Sequence, residues 1–274
     1  MNRFILTICL AGGTSLTSCA SWPGLDDPFI SIAPEYTLFR LKGQTRMEAG
    51  TPNFGRRGEN SVSDLGADDR EDNVGIRATY GDGASGFEFH YARFESHSSE
   101  TGVAKNDWGV IPNGETVDTR VTMDEFRLRY IAAWALYSGA DDEEWIKAGV
   151  GLQLGHRELS FDIRGISSGV GQKIQIKDDI TPMLAVRIAG RQGPWGVTID
   201  LAYNHDWSFG TGDFNGSLYD GSIRASYYVE AQDVTIFGGY RRFNLPARGG
   251  MAGGHEFDTD FTVDGYVLGF EYVF

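Results

Sequence analysis

Apolar and polar residues alternate at every second position through most of the sequence that follows residue 28. In 195–209, WGVTIDLAYNHDWSF, the odd positions are Trp, Val, Ile, Leu, Tyr, His and Phe, whereas the even ones are Gly, Thr, Asp, Ala, Asn and Ser. A period of two is typical of β-strands with one apolar face. The pattern recurs in 124–137 and 218–231. About ten such segments are present, each near the roughly nine to eleven residues that a tilted strand needs to cross a bilayer.

The connections between these segments alternate in length along the chain. A soluble β-sandwich has no reason to sort its loops in this way, whereas outer-membrane barrels have short periplasmic turns and long extracellular loops. The sequence therefore predicts an all-β fold: a single closed, antiparallel, up-and-down transmembrane β-barrel of about ten strands, with eight or twelve as alternatives, and with both termini in the periplasm. The expected turns are 81–86, 139–144, 191–196 and 230–233, and the expected loops are 46–72, 96–117, 160–172, 210–216 and 246–256.

Two segments fit the alternation poorly. In 30–43 the lipid-facing pair is either Tyr36 and Leu38 or Phe39 and Leu41. Pro182 removes a backbone donor, so it is expected at a bulge or near the membrane boundary.

The N-terminus has the features of an export signal, with Arg3 before an apolar run. We expect a signal peptide over 1–19, a periplasmic tether over 20–28 and the barrel over 29–274, in the cell outer membrane. The segment 16–19, LTSC, resembles a bacterial lipobox, which would make Cys19 a lipidation site. Cleavage after Ala20 is the alternative and would remove Cys19.

The net charge and the motifs of the sequence argue against several kinds of ligand. The net charge of -14 argues against nucleic acid as a partner, because phosphate binding needs a basic surface. No motif indicates a cofactor, and no spacing of His, Cys or acidic residues indicates a metal site. The expected partners are outer-membrane lipids and lipopolysaccharide.

The C-terminal strand, FTVDGYVLGFEYVF, ends on an aromatic residue. It resembles the signal by which outer-membrane barrels are recognised by the barrel assembly machinery, with Gly269, Tyr272 and Phe274 at the matching positions. That machinery is therefore a further expected partner.

The residues on the inward face of the expected strands carry charges of both signs in similar number. Long side chains from opposite walls of a narrow barrel meet, and buried charges must be paired. We therefore expect a largely closed lumen and a structural role for these groups. The expected lumen network is Arg77, Glu88, His90, Glu125, Arg127, Arg129, Lys147, Arg187, Asp200, Arg224, Glu230 and Glu271.

The ten-strand plan and the KNDW segment, Lys105 to Trp108, resemble the omptins, which are outer-membrane proteases. Omptins use an Asp pair in the second outer loop and a His with an Asp near the fourth. Asp107 matches one member of the pair, but Lys105 stands two positions before it, and 210–216 contains no His. The resemblance therefore implies the architecture without the catalytic motif.

Other candidates for chemistry are weaker. His205 and Asp206 are adjacent, so on a strand they point to opposite faces. Ser96, His97 and Ser98 form only a loose match to lipid-modifying barrels. No catalytic residue is therefore assigned, and the sequence favours a structural or loop-mediated interaction role. The alternatives are a hydrolase at the outer rim, acting on protein or lipid, and a narrow channel for small solutes.

Overall fold

Ten long strands and three short ones make up a single sheet in the computed structural model, which describes residues 28–48, 58–97, 101–139, 144–177, 180–205, 216–251 and 255–274. The strands are β1 (Phe29–Glu48), β2 (Asn60–Ser61), β3 (Arg70–Gly81), β4 (Gly86–His97), β5 (Gly102–Val103), β6 (Thr116–Ser138), β7 (Glu144–Gly165), β8 (Gly171–Lys177), β9 (Thr181–Gln192), β10 (Trp195–Asn204), β11 (Leu218–Val229), β12 (Val234–Met251) and β13 (His255–Val273).

The sheet closes on itself. Its order is β6-β4-β3-β1-β13-β12-β11-β10-β9-β7, and pairing of β6 with β7 completes a ring of ten antiparallel strands. The first and last strands pair along nearly their whole length. The short strands β2, β5 and β8 pair with β1, β6 and β7. The expected ten-stranded up-and-down barrel is confirmed.

The two ends of the ring differ. At one end, here called the turn rim, the connections are short: β9 and β10 are joined by two residues, where Gly193 takes a positive φ of 55°. The chain between β11 and β12 forms a 3-10 turn, Glu230–Gln232. The opposite end, here called the loop rim, has the long connections. Within the described ranges, no helix is long and apolar enough to cross a membrane.

In the turn-rim half, the outward face of the barrel is apolar. In β13, Tyr266, Leu268, Phe270 and Tyr272 point outward and are 43–55% exposed. Equivalent outward positions of the other ring strands are also apolar, and together they form a continuous surface, the apolar belt. Apolar side chains this exposed around a closed barrel match the lipid-facing band of a membrane barrel.

Towards the loop rim the two faces of the same strands exchange polarity: the inward face becomes apolar and the outward face becomes polar. In β13, Phe257, Phe261 and Val263 point inward and are buried, whereas Glu256 and Asp260 point outward. β6 changes in the same way: Val117, Val121 and Met123 are buried in its loop-rim half, and Glu125, Arg127 and Arg129 in its turn-rim half. The loop-rim half of the barrel is thus organised like a water-soluble β protein, with its apolar face inside.

This exchange corrects two expected loops. Much of 160–172 and of 246–256 is strand, because β7 continues to Gly165, β12 to Met251, and β13 begins at His255. β6 alone has 23 residues, about 75 Å of extended chain and far more than a bilayer requires. The outward residues of these segments are polar. Segments without an apolar outward face are interpreted as loops when every strand is expected to face lipid.

The structure also settles the register of β1. Tyr36 points outward and is 46% exposed, whereas Phe39 and Leu41 are buried in the interior. Pro182 is the second residue of β9, paired with Leu154, so its missing donor lies at a strand end.

A charge should be tolerated on the outward face of β13 only outside the apolar belt. We expect Leu268→Arg to destabilise the folded barrel by about 2–4 kcal/mol, because the guanidinium would lie in hydrocarbon. Asp260→Arg, on the same face nearer the loop rim, should change stability by less than about 0.5 kcal/mol. Urea titration in phospholipid vesicles, followed by tryptophan fluorescence, measures both. Equal losses would contradict the position of the belt.

Candidate functional site

Charged side chains fill the middle of the barrel. They lie at inward positions where the outward neighbours belong to the apolar belt, so the pleat directs them away from the belt. We call this set the ionic layer. Its members are six carboxylates, Glu35, Glu88, Glu125, Asp200, Asp220 and Glu271, and seven arginines, Arg77, Arg127, Arg129, Arg157, Arg187, Arg224 and Arg241.

One group within the ionic layer joins opposite walls. Arg241 of β12 donates from Nη1 to Glu125 Oε2 of β6 at 2.6 Å and from Nε to Asp220 Oδ1 of β11 at 3.0 Å. Arg157 of β7 donates from Nε to Glu125 Oε1 at 3.0 Å. Since β12 and β6 lie five strands apart in the ring, these bonds cross the barrel.

A second group surrounds Arg187 of β9. Its Nε donates to Asp200 Oδ1 at 2.7 Å and its Nη2 to Glu88 Oε2 at 2.9 Å. Arg129 Nη1 lies 3.0 Å from Asp200 Oδ2, and Arg127 Nη2 donates to Glu88 Oε1 at 3.3 Å. Guanidinium groups that bond more than one carboxylate oxygen combine charge with fixed geometry. These contacts connect β4, β6, β9 and β10.

Arg127 joins the first group to the second, because its Nη1 donates to Asp220 Oδ2 at 3.1 Å, and a third group joins the first through His90. Glu35 Oε1 accepts from Arg77 Nε at 2.9 Å, and Glu35 Oε2 lies 3.0 Å from His90 Nε2. His90 Nδ1 is 3.9 Å from Glu125 Oε2. Arg77 Nη2 also lies 3.5 Å from Glu271 Oε2. Apart from Arg224, the ionic layer is therefore one connected network rather than a set of isolated pairs.

Two members of the expected lumen network do not belong to the ionic layer. Lys147 pairs with Asp82 at 2.7 Å near the turn rim, and its ammonium lies 5.4 Å from the Trp145 ring centroid. Glu230 is wrong as a lumen residue: it is exposed in the 3-10 turn, because β11 ends one residue earlier and alternation no longer applies.

Four members of the network were not among the residues expected from the sequence: Glu35, Arg157, Asp220 and Arg241. Asp220 and Arg241 share inward parity with residues that were assigned. Arg157 lies at the end of an expected strand, and Glu35 depended on the undecided register of β1. Alternation followed to the ends of the expected strands would have found Asp220, Arg241 and Arg157.

An apolar core fills the barrel between the ionic layer and the loop rim. Inward residues of the ring strands contact Val62 and Leu65 from one connection and Trp108 and Ile111 from another. Trp108 is fully buried, and its Nε1–H donates to Thr45 Oγ1 at 3.2 Å. We call this cluster the loop-rim core. Its other large members are Phe39, Leu41, Met47, Phe94, Met123, Leu159, Phe161, Ile163, Ile174, Ile176, Phe243, Leu245, Phe257 and Phe261.

The chain is similar in fold to solved structures of outer-membrane proteins. The outer-membrane protease OmpT from Escherichia coli superposes with a TM-score of 0.50 at 13% identity, over 94% of this chain and 100% of that one. The chain has the fold of an outer-membrane β-barrel. OprG from Pseudomonas aeruginosa is more distant, with a TM-score of 0.34, 14% identity and coverage of 92% and 98%. The sequence matches no known family model and no curated protein.

The residues of the omptin-like KNDW segment have structural partners in this barrel. Lys105 pairs with Asp64, and the Asp107 carboxylate accepts from the Asn113 backbone N–H at 2.9 Å. Partial burial raises the pKa of Asp64, but the bonds from Lys105 and Ser61 outweigh this effect and lower that pKa overall. Trp108 belongs to the loop-rim core. The segment therefore anchors a connection to the barrel.

The remaining candidates are placed only in part. The His205 ring nitrogen Nδ1 lies 3.1 Å from the Tyr203 hydroxyl. Cys19, Ser98 and Asp206 lie outside the described residues, as does the side chain of His97. Within the described ranges, no group of three or more His, Cys, Asp or Glu is arranged to hold a metal.

The C-terminal residues have distinct surroundings. Tyr272 and Phe274 point outward and are 46% and 77% exposed. Gly269 faces inward, and a Cβ there would lie 2.5 Å from Phe237 Cζ and 2.6 Å from the Pro34 carbonyl oxygen. A glycine at 269 therefore has a packing reason, since it makes room for the Phe237 ring.

Removing one cation from the ionic layer should be far more costly than removing a matched ion pair. We expect Arg187→Met to destabilise the barrel by about 3–5 kcal/mol, because Asp200 and Glu88 lose a buried partner. Adding Asp200→Leu should recover part of this loss, and a double-mutant cycle in urea gives the coupling. Strict additivity of the two changes would show that the pair does not interact.

Gly269 offers a second stability test. We expect Gly269→Ala to cost about 1–3 kcal/mol, because the added methyl group overpacks against Phe237 and β1. Gly155→Ala is the control, since a Cβ at that inward position meets nothing within 4 Å. Urea unfolding is measured on fully folded samples of both variants. A change in the free energy of unfolding then reflects packing and not the efficiency of assembly. A Gly269→Ala barrel as stable as Gly155→Ala would refute the packing role.

Proposed function

We propose that the protein is an integral outer-membrane barrel with a closed lumen, which supports a binding surface outside the cell. In this proposal the apolar belt spans the membrane, the turn rim and both termini lie in the periplasm, and the loop rim lies outside. The lengths of the connections support this orientation, because outer-membrane barrels have their short turns in the periplasm.

The observation that carries the proposal is the loop-rim core. Its large side chains extend inward from opposite walls of the barrel. The Phe161 ring contacts the tilted Trp108 ring, with centroids 6.0 Å apart, and stacks on the Phe261 ring at 5.3 Å. A hydrated ion would have to enter this apolar interior without its water, at a cost of many kcal/mol. The ionic layer provides a second barrier, since its side chains cross the barrel and pair there.

The loop-rim half supports an interaction role. Strands as long as β6 and β7 extend beyond the apolar belt, and their outward face there is polar and exposed, as at Asp118, Arg120, Asp162 and Arg164. Connections fixed on such a sheet keep their positions, and loops on a rigid scaffold are where binding residues gather. We assign recognition of a partner to this half.

Two further partners belong to the proposal. The exposed aromatic residues Tyr272 and Phe274 are available to the barrel assembly machinery.

At the loop-rim edge of the belt, Tyr240 and Tyr266 pack edge to face at 5.7 Å, and Lys42 pairs with Asp264 beside them. Aromatic rings below charged groups suit the boundary between acyl chains and lipopolysaccharide phosphates.

Planar-bilayer recording tests the closed lumen. We expect no conductance steps from the full-length protein, and none from a variant that lacks residues 101–113, because the ionic layer remains. A barrel of known conductance in the same membrane is the positive control. Reproducible ion-selective steps from the unaltered protein would overturn the proposal in favour of a channel.

A further inference from the structure

The turn-rim half of the interior contains a cavity of about 370 Å³, here called the vestibule. It opens at the turn rim, beside Trp145 and Trp195, and ends at the ionic layer, where Arg77, Arg187 and Arg224 line it. Its walls combine hydroxyl-bearing, aromatic and charged side chains, and Glu88 and Glu271 lie beside the arginines at its inner end, which the ionic layer closes.

The ionic layer contains one more cation than its carboxylates neutralise. Seven arginines face six carboxylates, with His90 counted as neutral, and the difference is one positive charge. Lys147 does not alter this count, because Asp82 pairs with it. A charge held inside a protein is costly unless an opposite charge accompanies it.

The geometry identifies Arg224 as the excess cation. Each of the other six arginines lies within 4 Å of a carboxylate oxygen. For Arg224, within the described part of the chain, neither an ion pair nor a hydrogen bond is formed. Its guanidinium carbon lies 5.5 Å from the centroid of the buried Phe237 ring, and that of Arg77 lies 5.0 Å from the same ring.

Two hydroxyl-bearing side chains lie beside the position of Arg224 on the vestibule wall. Thr198 is its direct partner on β10, and Ser226 is the next inward residue of β11. Arginine presents a planar set of donors that matches the oxygens of phosphate and carboxylate groups. The backbone leaves no room for a side chain at Gly239, where a Cβ would lie 3.1 Å from the Arg224 Cα.

We propose that the vestibule binds a small oxyanion, a phosphate group free or esterified, through Arg224 with Thr198 and Ser226. The anion supplies the missing negative charge of the ionic layer. The opening at the turn rim admits it from that side of the membrane, and the closed inner end prevents it from passing through. The site is thus independent of any partner of the loop rim.

Isothermal titration calorimetry of the full-length protein in a neutral detergent tests the site. Inorganic phosphate and glycerol 3-phosphate are the probes, at constant ionic strength. We expect saturable binding at one site, weakened at least tenfold by Arg224→Gln. Arg164→Gln is the matched control, because it removes an exposed arginine near the loop rim. The preferred probe distinguishes a free ion from an ester.

A second variant keeps the test valid if Arg224→Gln does not fold. Ser226→Glu places a carboxylate beside Arg224, so it should abolish phosphate binding while the thermal midpoint without phosphate rises. Migration of unheated and heated samples in gels reports the folded barrel. No binding of either probe, or equal binding by Arg224→Gln and the unaltered protein, would overturn the proposal and leave Arg224 as a hydrated cation.

Discussion

A strand has two faces, and closing the sheet into a ring makes one of them an interior along its whole length. Every backbone group can then be paired within the ring, which an apolar surrounding demands. The pleat also couples inside to outside, because each residue directed outward fixes its neighbours inward. Where the outward face must be apolar, the polar residues are left for the interior, and where the outward face meets water the relation is reversed.

This coupling explains why the interior has two unlike parts. Beside the apolar belt the inward positions carry arginines and carboxylates, which reach across the ring to one another. Beyond the belt they carry Phe, Leu, Ile and Met, which pack as in a soluble core. The change occurs within single strands, at residues 123 to 126 in β6 and at 263 to 266 in β13. Neither part requires a separate plug domain.

The ionic layer fixes the shape of the ring more than it adds to stability. Burying a charge is costly, and the attraction to a partner only offsets that cost when geometry is good. Bonds such as Arg241 to Glu125 join strands that are distant in the ring, so they favour one register and one cross-section over others. Among the described residues, Arg224 forms no ion pair, and the same stringency is the reason for proposing that an anion binds beside it.

The sequence by itself determined the class of fold and the positions of the short turns, and it indicated about ten ring strands, because these depend on local alternation and on turn residues. Closure of the ring fixed the number at ten. It also indicated which residues near the middle of each strand face inward. Tertiary structure decided what depends on distant contacts: the register of β1, which is set by pairing with β13 and β3, and the partners of Arg157, Asp220 and Arg241. It also decided that polar segments after the belt remain strand, since their apolar face is buried only when connections such as 104–111 pack into the barrel. Alternation specifies two faces, but only the folded ring specifies which of them meets lipid, water or another side chain.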